Sequence, residues 1–460
     1  MSVLSLLAFS LPILTGTLIV HLLLVGKKHP TELILKLSLG IGVGLGISSM
    51  LYFVYLIFFA GSPYFLYVEL ALFLTALIAA YSKTKKTAHV PSPRLSVSFL
   101  QVVILVIAGL VFVSSFLGVV NYARQRARGD WDAWMIYNRA ARFIYRGQET
   151  WQDAFSRDMG VIFHADYPPL LGLNIASRWD ILSEETAYVP MFQGLLFSLA
   201  SLGVCFGALA SLSLGQAGLG VILLGGVSFF LHESGRQTAD VPLALYMLAS
   251  VVFLFFYYRE KRDALMALAG FTAGLAAWTK NEGIFFLLAS TGVMVAAALW
   301  KRSFQGLLLY FIGLLLPLAL LFYFKFQLAP PSEFLSGGSS KLIQNLTDSS
   351  RHQMIFDSFK SYFLHGGGWN NVGIFAILSV YFLLFYSRVQ TNKDAVFISL
   401  AILACQIIGY YVFYLISPYD LEWHLSYSLG RLFMHIYPST VFVVLAASQP
   451  PETIFASGSE

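Results

Sequence analysis

The segment GDWDAWMIYNRAARFIYRG, residues 129–147, sets two carboxylates, Asp130 and Asp132, among Trp131, Trp134 and a row of arginines. A carboxylate beside rings and cations has the chemistry of a general base for a hydroxyl, and guanidinium forks suit phosphate. At 100° per residue, Trp134, Tyr137, Ala141, Ile144 and Tyr145 share one side of a helix, and Asp132, Asn138, Arg139, Arg142 and Arg146 share the other. Such a helix fits a membrane interface, its aromatic side among the headgroups. The arginines either snorkel or, with Arg139 and Arg142 foremost, make a phosphate site facing Asp132. Asp130, just ahead of the helix, is a second candidate base or a cap. The Asp130-Trp131-Asp132 spacing leaves a divalent cation open without fixing any metal ligands.

A second cluster lies in VIFHADYPPLLG, residues 161–172. Each proline holds the residue before it extended, and Pro169 suits the first position of a new helix. Asp166 then sits on a stiff corner, either as a cap or as a second carboxylate across a cleft from the first. His164 adds a titratable or a structural neighbour, and Tyr167 adjoins both. Further along, RQTADVPLAL puts Arg236 and Asp240 at the start of an apolar run, and TKNEG puts Lys280 and Glu282 between two others. Lys280 either snorkels at a helix end or neutralises a phosphate. SPYDLEWHLSYSLGR, residues 417–431, carries Asp420, Glu422, His424 and Arg431, as solvated loop chemistry or as part of a site.

These residues need elements to hold them, and composition says which. The 460 residues are 57% hydrophobic and only 12% charged, with mean hydropathy +0.72; a soluble domain carries roughly 25% charged residues. Apolar runs recur from end to end, predicting an all-α polytopic membrane protein of about thirteen spans. They fall near 3–25, 34–59, 64–82, 97–120, 187–212, 216–231, 240–257, 263–279, 283–300, 304–324, 372–387, 394–416 and 431–447. Short loops rich in Lys and Arg, at 26–36, 82–94, 257–263, 301–304 and 387–394, all fall on one side by strict alternation, which marks that side as cytoplasmic. The segments with Trp, His, Asp and Pro then face outward. Residues 325–371, with PSEFLSGGSSKLIQNLTDSSRHQ and HGGGWNN, read as a mobile external segment, a lid in character. Cys205 and Cys405 both fall inside spans and imply neither a disulfide framework nor a metal site. The net charge of +5 is modest, no soluble basic domain exists to bind nucleic acid, and no glycine-rich nucleotide loop occurs.

The succession GDWDAWMIYNRAARFIYRG, HADYPPLL, TADVPLAL, AAWTKNEG and EWHLSYSLGR resembles bacterial membrane glycosyltransferases of the GT-C fold, relatives of protein O-mannosyltransferases and lipid A aminoarabinose transferases. The resemblance covers roughly residues 97–300 and the 420–431 stretch. It implies extra N-terminal helices over 1–96, a catalytic core over 97–324 with interfacial helices in the external loop 121–186, an external loop at 325–371, and C-terminal helices over 372–460. It implies an inverting transfer of a sugar from a polyprenyl-phosphate carrier to a hydroxyl acceptor at the outer face of a bacterial inner membrane. Asp132, or else Asp130, would be the base, and Asp166 the second acid. Arg139, Arg142, Lys280 and Arg431 would meet the donor phosphate. Trp131, Trp134, His164, Tyr167, Asp240, Glu282 and His424 would line the substrate. No cofactor is implied with certainty, and the acceptor, whether glycan, lipid or protein, is not specified. The chain departs from the family in its three extra leading spans and in lacking both the large soluble C-terminal domain of some relatives and the adjacent Asp-Glu pair of the O-mannosyltransferases.

Two other classes share part of this pattern. A secondary transporter would carry inverted repeats and charges at mid-depth of broken spans, whereas these charges gather at span ends on one face. A non-catalytic lipid-binding envelope assembly protein would keep the amphipathic helix and tolerate loss of the carboxylates.

Overall fold

The structure, a computed structural model, describes residues 3–24, 31–84, 97–332, 338–387 and 392–456. Much of the basic loops at 26–36, 82–94 and 387–394 lies outside these residues, as does 333–337 of the expected lid. The chain is 84% helical, and no strand occurs among the described residues. The helices are α1 (Val3–Leu23), α2 (Glu32–Phe59), α3 (Phe65–Thr84), α4 (Phe99–Gln125), α5 (Asn138–Gly147), α6 (Leu170–Leu182), α7 (Tyr188–Ala210), α8 (Leu214–Gly225), α9 (Ser228–Gly235), α10 (Asp240–Glu260), α11 (Asp263–Thr279), α12 (Asn281–Lys301), α13 (Gln305–Tyr323), α14 (Gly338–Thr347), α15 (Ser349–His365), α16 (Ile374–Phe385), α17 (Lys393–Ile416), α18 (Leu421–Ala447) and α19 (Pro451–Ala456).

Among the described residues, ten helices are long and apolar enough to cross a membrane, or eleven if α8 and α9, bent by 66°, form one broken span. That supports an integral membrane protein; of the thirteen apolar runs expected as spans, 263–279 and 372–387 form the shorter helices α11 and α16. At about 1.5 Å per residue, the 12 residues of α16 cover roughly 18 Å, short of the ~30 Å of hydrocarbon. The 17-residue α11 falls just below the same length.

Buried α10 is the axis of the bundle, packed against α7, α11, α17 and α18. α3, α4 and α13 are mostly exposed apolar surface, as lipid-facing helices would be. α1 and α2 approach closely because small residues face each other: a Cβ on Gly44 would stand 1.9 Å from the Pro12 carbonyl oxygen. The ends carrying the basic loops gather at one end of the bundle. Lys83 donates to the Leu22 carbonyl at 2.6 Å, Asn392 to the Tyr258 carbonyl at 2.7 Å, and Lys301 pairs with Asp394. The chemistry-bearing segments meet at the opposite end.

Three expectations about those segments change. Residues 421–430 are the first turns of α18, capped by Asp420, whose carboxylate accepts from the Trp423 amide at 2.9 Å. Residues 325–371 hold a π-helical turn (Phe324–Leu328) and the helices α14 and α15, so the described part of the expected loop is largely helical, with Ile355 buried. The amphipathic helix buries part of its apolar side against protein. α5 packs on α6 and on a 3-10 turn, Gln148–Phe155, burying Ala141 and Ile144. A π-helical turn, Ala133–Tyr137, precedes α5 and shifts its phase. Ile136 and Tyr137 are therefore buried while Trp134 stays 42% exposed.

Candidate functional site

Four stretches of chain converge at the end of the bundle away from the basic loops. The first is the turn after α4, which delivers Trp131 and Asp132. The corner before α6 supplies His164 and Tyr167. The break between α11 and α12 supplies Lys280 and Glu282. Successive turns of α18 supply Trp423, Tyr427 and Arg431, with His424 alongside. Together with Phe413 and Tyr419 they enclose a cavity of about 420 Å³. Eight candidates read from the sequence line it: Trp131, Asp132, His164, Tyr167, Lys280, Glu282, His424 and Arg431.

Beneath the cavity Asp240 is fully buried at the first residue of α10, where the helix N-terminus favours negative charge. Its Oδ2 accepts from Arg431 Nε at 2.9 Å and from Thr238 Oγ1 at 2.9 Å. Its Oδ1 meets Lys280 Nζ at 3.1 Å and His435 Nε2 at 2.8 Å. Arg431 Nη2 lies 2.8 Å from Asp240 Oδ2 and 2.6 Å from Asp132 Oδ2. Lys280 completes the chain with Glu282 Oε1 at 2.8 Å. Burial alone would lower the Lys280 ammonium, but Asp240 and Glu282 on either side hold it above its ordinary value. Three carboxylates thus surround two fixed cations. Asp240 is fully buried, so removing one of the two cations leaves its charge uncompensated, at a cost of about 3–5 kcal/mol.

Two atoms of this cluster are left for a ligand. Glu282 lines the cavity, and its Oε2 has no hydrogen-bond partner among the described residues. Asp132 has Oδ2 fixed by Arg431, while Oδ1 accepts no hydrogen bond from the described protein. His164 stacks on Tyr167 with ring centroids 4.6 Å apart. It holds a left-handed backbone, φ 42°, the kind of strain that clusters at functional sites. Burial lowers the His164 imidazole below its ordinary value, keeping it neutral at pH 7.

The other sequence candidates lie outside this cavity. Asp130 is turned away from Asp132, onto Arg236 Nε at 2.8 Å and Arg126 Nη1 at 3.1 Å. Asp166 is not a helix cap: its Oδ2 accepts from Asn281 Nδ2 at 2.8 Å. Its backbone carbonyl and Asn281 Oδ1 both accept from Lys325 Nζ at 2.6 Å. Trp134 points to the surface. The arginine row does not face Asp132. Arg139 donates to the Met135, Ala154 and Phe163 carbonyls and lies over the Phe163 ring, and burial lowers it to about 10. Arg142 and Arg146 both hold Glu185, each at 2.6 Å, and these bonds outweigh its burial to lower that carboxyl. Among the described residues no group of three or more His, Cys, Asp or Glu side chains is arranged to hold a metal ion.

Sequence reasoning missed Tyr419, Trp423, Tyr427 and His435. Trp423 and Tyr427 stack with rings 5.7 Å apart and 6° from parallel. Their spacing with Arg431, four residues per step, was a readable signal once 421–430 is taken as helix. His435 continues the same series one step further. Lys325, on its π-helical turn, was hidden at the junction of the apolar run 304–324 and the loop after it.

No family model matches the chain, nor does any curated protein or solved structure.

Proposed function

We propose that the chain is an inverting membrane glycosyltransferase that takes a sugar from a polyprenyl-phosphate carrier and gives it to a hydroxyl acceptor. The reading is carried by the setting of Asp132: one oxygen anchored by Arg431, the other open to an aromatic-walled cavity at one end of a membrane bundle. Stacked rings such as Trp423 and Tyr427 suit a pyranose face. A carrier lipid lies between helices with its phosphate at the level of interfacial cations. The charge layout favours an outer-face position for this end in a bacterial inner membrane, where a lipid-carried donor replaces a nucleotide sugar.

In the transfer step the acceptor oxygen attacks the anomeric carbon while Asp132 Oδ1 takes its proton. The bond from that carbon to the phosphate oxygen breaks on the opposite face, leaving its electron pair on the polyprenyl phosphate. A positioned base contributes typically 10²–10⁴-fold. Arg431 and Lys280, already paired to carboxylates, stabilise the leaving phosphate only by sharing their donors. Lys325 is outside the lining but donates to the neutral oxygens of Asp166 and Asn281, whose chain neighbours Tyr167, Lys280 and Glu282 line the cavity, so a phosphate at the cavity edge would meet it rather than Arg139 or Arg142.

The test is purified full-length protein in proteoliposomes given a panel of polyprenyl-phosphate sugars and hydroxyl acceptors. Wild type should turn over at least one donor, and Asp132→Asn should not. Unchanged turnover by Asp132→Asn would end the site assignment, and inactivity of the wild type across the panel would end the transferase reading.

A further inference from the structure

Arg431 and Tyr427 line not one cavity but two. On the other side of α18 a larger cavity, about 1080 Å³, is walled by α9, α15, the turn after α15 and the first turns of α18. The turn is Gly366-Gly367-Gly368, where Gly367 takes φ 68° and a Cβ on Gly366 would stand 2.6 Å from the Tyr362 ring. The glycines of HGGGWNN therefore let the backbone close against that ring and complete the wall.

The lining has a definite chemistry. Glu233, Asp357 and Glu422 bring three carboxylates, Ser361 a hydroxyl, and Tyr362 and Tyr427 aromatic faces. Two arginines reach it, but both are engaged: Arg236 on Asp130 and Glu233, Arg431 on Asp132 and Asp240. An anionic ligand would meet more negative than available positive charge. Glu233 is 5% exposed, and its Oε2 has no hydrogen-bond partner among the described residues. A buried acceptor without a donor is destabilising, the more so when charged, until a ligand O–H supplies one.

We propose that this second cavity binds an uncharged saccharide, the acceptor of the transfer, with Glu233 accepting from its hydroxyls and the tyrosines flanking its ring faces. This rests on the transferase reading and deepens it. Arg431 and Tyr427 form the partition between this cavity and the first, which Asp132 lines, so the acceptor's reacting hydroxyl must extend past them to reach that carboxylate.

The experiment measures binding and transfer separately. Neutral oligosaccharides of two to six sugars, and the same set carrying phosphate, are offered to purified full-length protein without donor and followed by saturation-transfer NMR. Neutral saccharides should bind wild type and Asp132→Asn alike. Glu233→Gln should weaken that binding at least tenfold. Ser361→Trp, an exposed position on α15 whose change leaves the core intact, should abolish it while thermal unfolding stays at the wild-type temperature. Preference for the phosphorylated set, or equal binding by wild type and Ser361→Trp, would overturn the assignment. Binding here without transfer from any polyprenyl-phosphate sugar would overturn the transferase reading and leave the ligand class standing. Transfer that is indifferent to both variants would overturn the cavity assignment and leave the transferase.

Discussion

Asp132 and Arg431, one from the first long loop and one from the last long helix, meet at 2.6 Å through the same guanidinium nitrogen that holds Asp240 at 2.8 Å. The site is thus closed by a single side chain bridging the cavity-facing carboxylate and the buried one. Arg431→Gln should destabilise the protein by about 3–5 kcal/mol, because Asp240 stays buried with a cation removed. Arg431→Lys keeps the charge but not the fork and should fall between. Thermal unfolding in detergent checks both, and wild-type stability in Arg431→Gln would refute the bridging role.

Asp132→Asn should behave differently. It keeps the shape and an oxygen for Arg431, at a site that opens on a cavity. Unfolding should shift little, while turnover drops by about 10²–10⁴. A variant that loses stability and activity together would place Asp132 with the structural carboxylates.

The Trp423–Tyr427 stack offers a third check. Trp423 is 55% exposed, so truncation to Ala removes little core. It should raise KM for the sugar substrate roughly tenfold, the ~1.4 kcal/mol within reach of one ring stack, with kcat nearly unchanged. A pure kcat effect would remove the ring from the binding role.

Acidity should expose His164. Its folded-state value is depressed by burial from 6.5, so its neutral form contributes stability above that value, and this contribution is lost as pH falls through the lowered one. Asp180 works the other way: burial raises it from 3.8 to about 6, so it adds stability as pH falls across that window. The readout is therefore a difference. Between pH 7 and pH 5 wild type should lose more unfolding temperature than His164→Gln. Parallel curves would show that His164 does not titrate in this range.

A buried pair far from the cavity gives the last prediction. Arg178 on α6 meets Glu69 on α3 at 2.5 Å and Ser48 on α2 at 2.8 Å, and also donates to the Ala8 carbonyl of α1. Arg178→Met alone should cost about 3–5 kcal/mol, and Arg178→Met with Glu69→Leu should recover most of it. Additive losses in the double variant would mean that the two do not act as a pair.

The sequence made the cavity's acids, its lysine and its histidines readable because ionisable residues are rare in apolar helices and these sat near the ends of the apolar runs. Asp132, Lys280, Glu282 and Arg431 needed no more than that. Partners were not readable. A helical wheel gives direction but not the neighbour met in that direction, and Glu185, in an unremarkable loop, holds Arg142 and Arg146. The wheel itself failed at Trp134 because a π-helical turn, invisible to a 3.6-residue period, rotates α5 relative to the residues before it. Trp423 and Tyr427 were hidden by starting the last helix too late, since polar residues in its first turns hid its apolar register.

The clasp between Arg178 and Glu69 bears on how the chain is made. Glu69 leaves the ribosome long before Arg178, and an unpaired carboxylate within an apolar helix costs a few kcal/mol in lipid. Until α6 emerges, α3 lacks this counter-ion. The energetics therefore favour delayed settling of the earliest helices, so that the segment synthesised first matures only when a later one arrives to release it into the bilayer.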